Sequence, residues 1–160
     1  MPLPRSFVPD AILTAGFMVG VLDIGDAIAV TWLLGGSPLR MLQGIASGIV
    51  GASAFTGGTL TALLGLGIHF FIAYVVAAIY VLASLWLPVL IRRAIPCSLA
   101  YGLAVHAVMK LVVLPLAGFG PPRWTLISIV NGVGAHLLFV GLPIGLATRR
   151  AARGCAGVKL

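Results

Sequence analysis

Four long apolar segments, separated by short breaks rich in glycine, proline and arginine, leave this chain very few possible folds. They cover residues 8–34, 59–91, 97–117 and 124–147, and each approaches or exceeds the roughly 20 residues that a helix needs to cross a bilayer. The chain is 61% hydrophobic and only 8% charged, whereas soluble domains carry about a quarter charged residues. We therefore predict one all-α membrane domain over residues 1–160, with four transmembrane helices and an uncleaved first span.

A shorter and less hydrophobic stretch at residues 38–54 follows the first span. Gly35-Gly-Ser-Pro38 combines a helix stop with a serine N-cap and a proline at the first helical position. Helical spacing then places Met41 and Ile45 on one face, with Arg40 and Gln43 on another. We predict an amphipathic or re-entrant helix here, not a fifth full span.

The basic residues flank the ends of the apolar segments and account for a net charge of +7. A four-span topology places most of them on one side. That side would hold Arg5, Arg92, Arg93, Arg149, Arg150, Arg153 and Lys159, and the other side Arg40 and Arg123. This asymmetry predicts cytoplasmic termini, with residues 148–160 as a polar, frayed basic tail, and the lipid bilayer, not nucleic acid, as the partner. Cys97 and Cys155 have no metal-ligand spacing and are expected to be free thiols.

Ionisable side chains inside the predicted spans are the main functional signal. Every span carries one at a similar depth, about 15–18 Å from its end on the less basic side, if the rise is 1.5 Å per residue. These residues are Asp23, His69, His106 and His136. Because a charge in hydrocarbon is costly unless it is paired, protonated or hydrated, we predict that they form one polar cluster near the middle of the bilayer. Asn131 shares a helix face with His136 and is placed in the same cluster.

Asp26 and Lys110 lie closer to the less basic side, both at about 10 Å. Opposite charges attract strongly where the dielectric constant is low. We predict a structural ion pair between them, which would leave Asp23 as the acid without a structural partner.

The polar cluster has three interpretations. It is a set of hydrogen bonds that only align the helices, or a pathway for protons or small cations, or a haem or transition-metal site with His69, His106, His136 and Asp23 as candidate ligands. No helix carries His-x-x-x-His spacing, and the chain has no glutamate and no catalytic motif. We therefore do not expect an enzyme.

Several stretches resemble a group of uncharacterised bacterial inner-membrane proteins. They are Leu39-Arg-Met-Leu-Gln-Gly-Ile-Ala-Ser-Gly48, Ala54-Phe-Thr-Gly-Gly58, Leu66-Gly-Ile-His-Phe70, Asn131-Gly132 through His136, and Val140-Gly-Leu-Pro143. The resemblance implies a small multi-pass protein of the bacterial inner membrane and no particular activity. In that group the positions of His106 and Lys110 are often tyrosine and asparagine, so the resemblance favours Asp23, His69 and His136 as the functional residues.

From these observations we expect a small proton- or cation-linked permease or channel subunit. Asp23 would bind or relay the cation, with His69 and His136 as its proton partners. A homo-oligomer is expected because a single four-helix bundle offers little room for a pathway. The alternatives are a haem- or metal-binding redox or sensor subunit, and a structural or accessory membrane protein.

Overall fold

The computed structural model describes residues 5–118 and 125–156. A short 3-10 turn, Arg5–Phe7, leads into α1 (Val8–Leu33), followed by α2 (Pro38–Val50), a second 3-10 turn (Gly51–Phe55), α3 (Gly58–Trp86) and α4 (Val89–Arg92). The long helix α5 is Ala94–Leu116, with a wider π-helical stretch at Met109–Val113. Helix α6 comprises Leu126–Ala135, a π-helical stretch His136–Gly141, and Leu142–Ala156.

Helices α1, α3, α5 and α6 are long and apolar enough to cross a membrane, and α2 lies between the first two of them. The predicted all-α membrane fold with four spans and one additional helix is therefore confirmed. The start of α2 also agrees with the prediction, because Ser37 Oγ accepts the Arg40 N–H at 3.4 Å and Pro38 is the first helical residue.

Three predicted boundaries were wrong: α2 ends at Val50 and not at residue 54, and the other two lie at prolines. Helix α3 ends at Trp86 and not at residue 91, because Pro88 has no N–H to donate and restricts the backbone of Leu87. Helix α5 begins at Ala94, three residues earlier than predicted. Its Pro96 lies in the first turn, where a missing N–H leaves no helical hydrogen bond unmade.

The predicted frayed tail was also wrong over residues 148–156, which continue α6. Thr148 and Ala152 lie four residues apart on one face of the helix, and both are buried. Ala152 packs in a cluster with Phe7, Ala11 and Ile91, so this face holds the helix against the rest of the bundle. Lys159, Arg123, Trp124 and the side chain of Arg5 lie outside the described residues.

That cluster also shows that the start of α1, the α4 turn and the end of α6 meet at one end of the bundle. We call it the arginine end, defined by Arg92, Arg93, Arg149, Arg150 and Arg153. The opposite end, where α1 ends and α3 begins, is the α2 end. Cys97 and Cys155 are free thiols, as predicted.

Glycines allow the spanning helices to approach closely. On α1, Gly16 packs against the ring of Tyr74. Gly102 of α5 faces the backbone of α6, where an added Cβ would meet the carbonyl of His136 and the Cα of Gly141. Small residues at helix contacts are the usual means of close packing in membranes, where lipid is as apolar as the protein interior.

The spanning helices lie side by side in the order α3, α1, α6, α5. Helix α1 packs against α3 and α6, and α5 packs against α6. Helices α3 and α5 at the two sides meet through Tyr101, whose hydroxyl donates to the Val76 carbonyl at 2.7 Å and whose ring packs against buried Tyr80. Cavities lie between the same two helices beyond this contact.

Helix α2 crosses α3 at Gly65, where an added Cβ would collide with the carbonyl oxygen of Leu42. Gly65 lies about 10 Å along α3 from its first residue, so α2 covers the first two turns of α3. The face that carries Gln43 turns inward, not to solvent. Gln43 is buried and its Nε2 donates to the Gly58 carbonyl at 2.9 Å, which satisfies its amide.

Two glycines of α6 test the role of close backbone packing. A methyl group on Gly141 would meet the Ser98 carbonyl and the Gly102 backbone, whereas one on Gly134 would meet nothing within 4 Å. We expect Gly141→Ala to destabilise the protein by about 1–3 kcal/mol through overpacking. Gly134→Ala should leave stability unchanged or raise it by up to about 1 kcal/mol through helix propensity. Thermal unfolding in detergent measures both, and equal unfolding temperatures would contradict the packing described.

Candidate functional site

Asp23, His69 and His136 line one cavity of about 500 Å³. They come from α1, α3 and α6, and each lies ten or eleven residues from the end of its helix at the α2 end. At about 1.5 Å per residue, all three are about 15 Å from that end, half the thickness of a hydrocarbon core. The structure thus brings together three of the side chains for which the sequence predicted a common depth.

The remaining wall of this cavity is apolar. Its other lining residues among those described are aliphatic, aromatic, methionine or glycine, and they come from all four spans and from α2. The contribution of α2 consists of Met41, Gly44, Ile45, Gly48 and Ile49. Sequence reasoning missed this wall, although the Gly44-x-x-x-Gly48 spacing was a weak signal that α2 packs closely against other elements.

A backbone carbonyl determines which nitrogen of His69 carries the proton. His69 Nε2 lies 3.0 Å from the carbonyl oxygen of Gly20. Because a carbonyl can only accept, Nε2 must be the protonated nitrogen. In the neutral ring this leaves a lone pair on Nδ1, which is able to take up a proton.

His136 is oriented in the same way by its own helix. Its Nδ1 lies 2.9 Å from the Gly132 carbonyl, so Nδ1 carries the proton and Nε2 has the lone pair. The ring lies at the start of the π-helical stretch of α6. Such widened turns interrupt regular helices and frequently occur at functional sites.

His106 lies behind His136 and does not line the cavity. The two rings are 4.8 Å apart, with Nδ1 of each 3.4 Å from the other. Because His136 Nδ1 carries a proton, His106 Nδ1 is the acceptor of this long contact. Gly132 leaves room for the His106 ring. His106 is therefore buried in contact with His136, one member of the predicted polar cluster, and does not itself line the cavity.

The predicted ion pair between Asp26 and Lys110 does not form. Asp26 Oδ2 accepts from Asn131 Nδ2 at 3.0 Å, and Lys110 Nζ donates to Ser128 Oγ at 2.9 Å. The helix order explains the difference, because α6 lies between α1 and α5 and supplies a polar partner to each. Asn131, which was predicted in the midplane cluster, instead pairs with Asp26 nearer the α2 end.

Asp23 differs from Asp26 in its surroundings. Within residues 5–118 and 125–156, no side chain donates a hydrogen bond to the Asp23 carboxyl. Asp23 is thus the acid that faces the cavity without a structural partner, as the sequence indicated.

In the part of the chain that the structure describes, no group of three or more histidine, cysteine or acidic side chains is placed to hold a metal ion. The site instead offers one carboxyl group and two imidazole lone pairs around an apolar space. This arrangement is suited to binding a positive charge and exchanging protons with it.

No family model matches the chain, and comparisons with curated proteins and with solved structures found no match.

Two double-mutant cycles test whether Asp26 pairs with Asn131 or with Lys110. The cycle of Asp26→Asn with Asn131→Ala should show a coupling of about 0.6 kcal/mol, the average for hydrogen bonds between membrane helices, and at most about 1.7 kcal/mol. The cycle of Asp26→Asn with Lys110→Met should show a coupling near zero, because these residues share no bond. Unfolding free energies in mixed micelles provide both values. A larger coupling in the second cycle would show that Asp26 and Lys110 do form an ion pair.

Proposed function

We propose that the protein is a small proton- or cation-linked permease of the bacterial inner membrane. Asp23 binds the cation or proton, and His69 and His136 exchange protons with it. One observation carries this proposal: an acid without a structural partner and two imidazoles with free lone pairs line the same cavity at mid-depth. Ionisable residues inside membrane spans often mark transport pathways.

The orientation of the two imidazoles is compatible with proton exchange. Each ring is held by one nitrogen through a carbonyl oxygen, and the other nitrogen is not needed for that bond. That second nitrogen carries the lone pair to which a proton carrier would bind its proton.

The size and position of the cavity also support the proposal. About 500 Å³ falls within the 300–1,000 Å³ of ordinary small-molecule sites. The residues that line it come from all four spans and from α2. The homo-oligomer expected from the sequence stays a separate prediction.

We further propose that the arginine end faces the cytoplasm, with both termini on that side. Five arginines define this end. The described basic residues nearer the α2 end are Arg40 and Lys110. An excess of arginine and lysine on the cytoplasmic side is the usual topology signal.

Asp23→Asn tests the function in proteoliposomes. We expect proton or cation flux down an imposed gradient to fall to the level of protein-free liposomes, because asparagine cannot carry the negative charge or the exchangeable proton. Asp10→Asn is the matched control, since Asp10 is exposed at the start of α1 and does not line the cavity. Flux is followed with a pH-sensitive dye inside the vesicles.

His69→Gln separates the two roles of His69 in the same assay. Glutamine retains an N–H that can donate to Gly20, but it cannot take up a proton. A variant that folds as stably as the wild type and has lost flux supports proton exchange. Full flux in either Asp23→Asn or His69→Gln would refute the proposal.

Labelling of a single thiol tests the orientation. With Cys97→Ser, the exposed Cys155 at the arginine end is the remaining thiol. We expect a membrane-impermeant maleimide to label it in inverted vesicles and not in intact spheroplasts. The opposite pattern is expected for Ser53→Cys on a background without Cys97 and Cys155, because Ser53 is exposed at the α2 end. The reverse labelling pattern would contradict the proposal that the arginine end faces the cytoplasm.

A further inference from the structure

A second cavity of about 410 Å³ adjoins the first between α3 and α5. The two cavities share six lining residues, namely Phe71, Ile72, Val76, Val105, Met109 and Val113. Other residues of the second wall, such as Ile79 and Val108, are more than half exposed on the lipid-facing surface of the bundle. The space around Asp23 therefore continues toward the lipid-facing surface between α3 and α5.

The walls of both cavities disfavour an inorganic cation. A metal ion that loses its water needs several oxygen ligands, as in calcium sites or potassium filters. Among the described side chains that line the two cavities, the Asp23 carboxyl is the single oxygen donor apart from Tyr101, whose hydroxyl is already bonded to Val76. The large apolar surface instead matches an ion that carries its own apolar surface.

The charge available in the site limits the charge of the ligand. An ionised Asp23 in apolar surroundings requires a compensating positive charge nearby. A proton on the carboxyl group and a singly charged cation beside it are equivalent ways to supply that charge. A dication would leave a net positive charge in the cavity.

We propose, as an extension of the proposed function, that the substrate is an organic cation with a single positive charge on an apolar body, which enters from the bilayer between α3 and α5. The apolar body partitions into lipid about as well as into the cavity, so the contact with Asp23 is what selects the ligand. On binding, the positive charge of the cation takes the place of the proton on Asp23. The O–H bond of the Asp23 carboxyl breaks, its proton passes to the lone pair of His69 Nδ1 or His136 Nε2 and then to water, and the carboxylate binds the cation.

Two probes of the same shape and opposite charge test the ligand class. We expect purified protein in detergent to bind tetraphenylphosphonium saturably and tetraphenylborate not at all. Phenyltrimethylammonium is a smaller cation for the same test. Asp23→Asn should weaken cation binding by about tenfold or more, as expected for loss of an interaction with a charged group. Asp10→Asn should have no effect.

The wild-type protein gives a second readout that depends on no variant. In weakly buffered solution, addition of the phosphonium should release protons and acidify the sample, whereas the borate should not. Equal binding of both probes, saturable binding of neither cation, or binding without proton release would each overturn the inference.

The entrance is tested separately in proteoliposomes. Ala104 lines the second cavity, and Ala107 on the same helix is exposed but lines neither cavity. We expect Ala104→Trp to slow phosphonium uptake severalfold and Ala107→Trp to leave it unchanged. Equal rates in the two variants would overturn entry between α3 and α5. If proton flux requires Asp23 but the cation does not bind, this inference is overturned and the proposed function stands. If proton flux does not require Asp23, the proposed function itself is overturned.

Discussion

The arrangement of the bundle depends on how polar side chains are satisfied in hydrocarbon, where water is absent. Helix α6 performs this role for both of its neighbours, since its Asn131 donates to Asp26 of α1 and its Ser128 accepts from Lys110 of α5. An unsatisfied charge at these positions would be expensive enough to disfavour any other helix order. The position of α6 between α1 and α5 therefore depends on these two hydrogen bonds as well as on packing.

Glycine links this packing to the candidate site at two positions. Gly20 accommodates the ring of Phe70 where a Cβ would not fit, and its carbonyl orients His69. Gly132 accommodates His106, and its carbonyl orients His136. The same close approach that packs the helices thus determines which nitrogen of each cavity-lining imidazole is free to react.

Much of the fold could be predicted from the sequence because the length and hydropathy of a span are local properties. The depths of Asp23, His69 and His136 followed from the same counting along each helix. The partners of Asp26 and Lys110 could not be predicted in this way, because the depth of a residue does not determine which helices are adjacent. The inward turn of Gln43 and the helical tail after Thr148 also depended on distant contacts with α3 and α1.

The helix order divides the chain into two antiparallel hairpins, α1 with α3 and α5 with α6, which are joined through α4 and docked mainly along α1 and α6. Asp23 and His69 belong to the first hairpin, and His136 belongs to the second. The position of Asp23 relative to His69 is set within one hairpin, whereas its position relative to His136 is set by how the two hairpins dock. The cavity is thus lined by one imidazole from the hairpin of Asp23 and one from the other hairpin, so that docking of the two halves completes it.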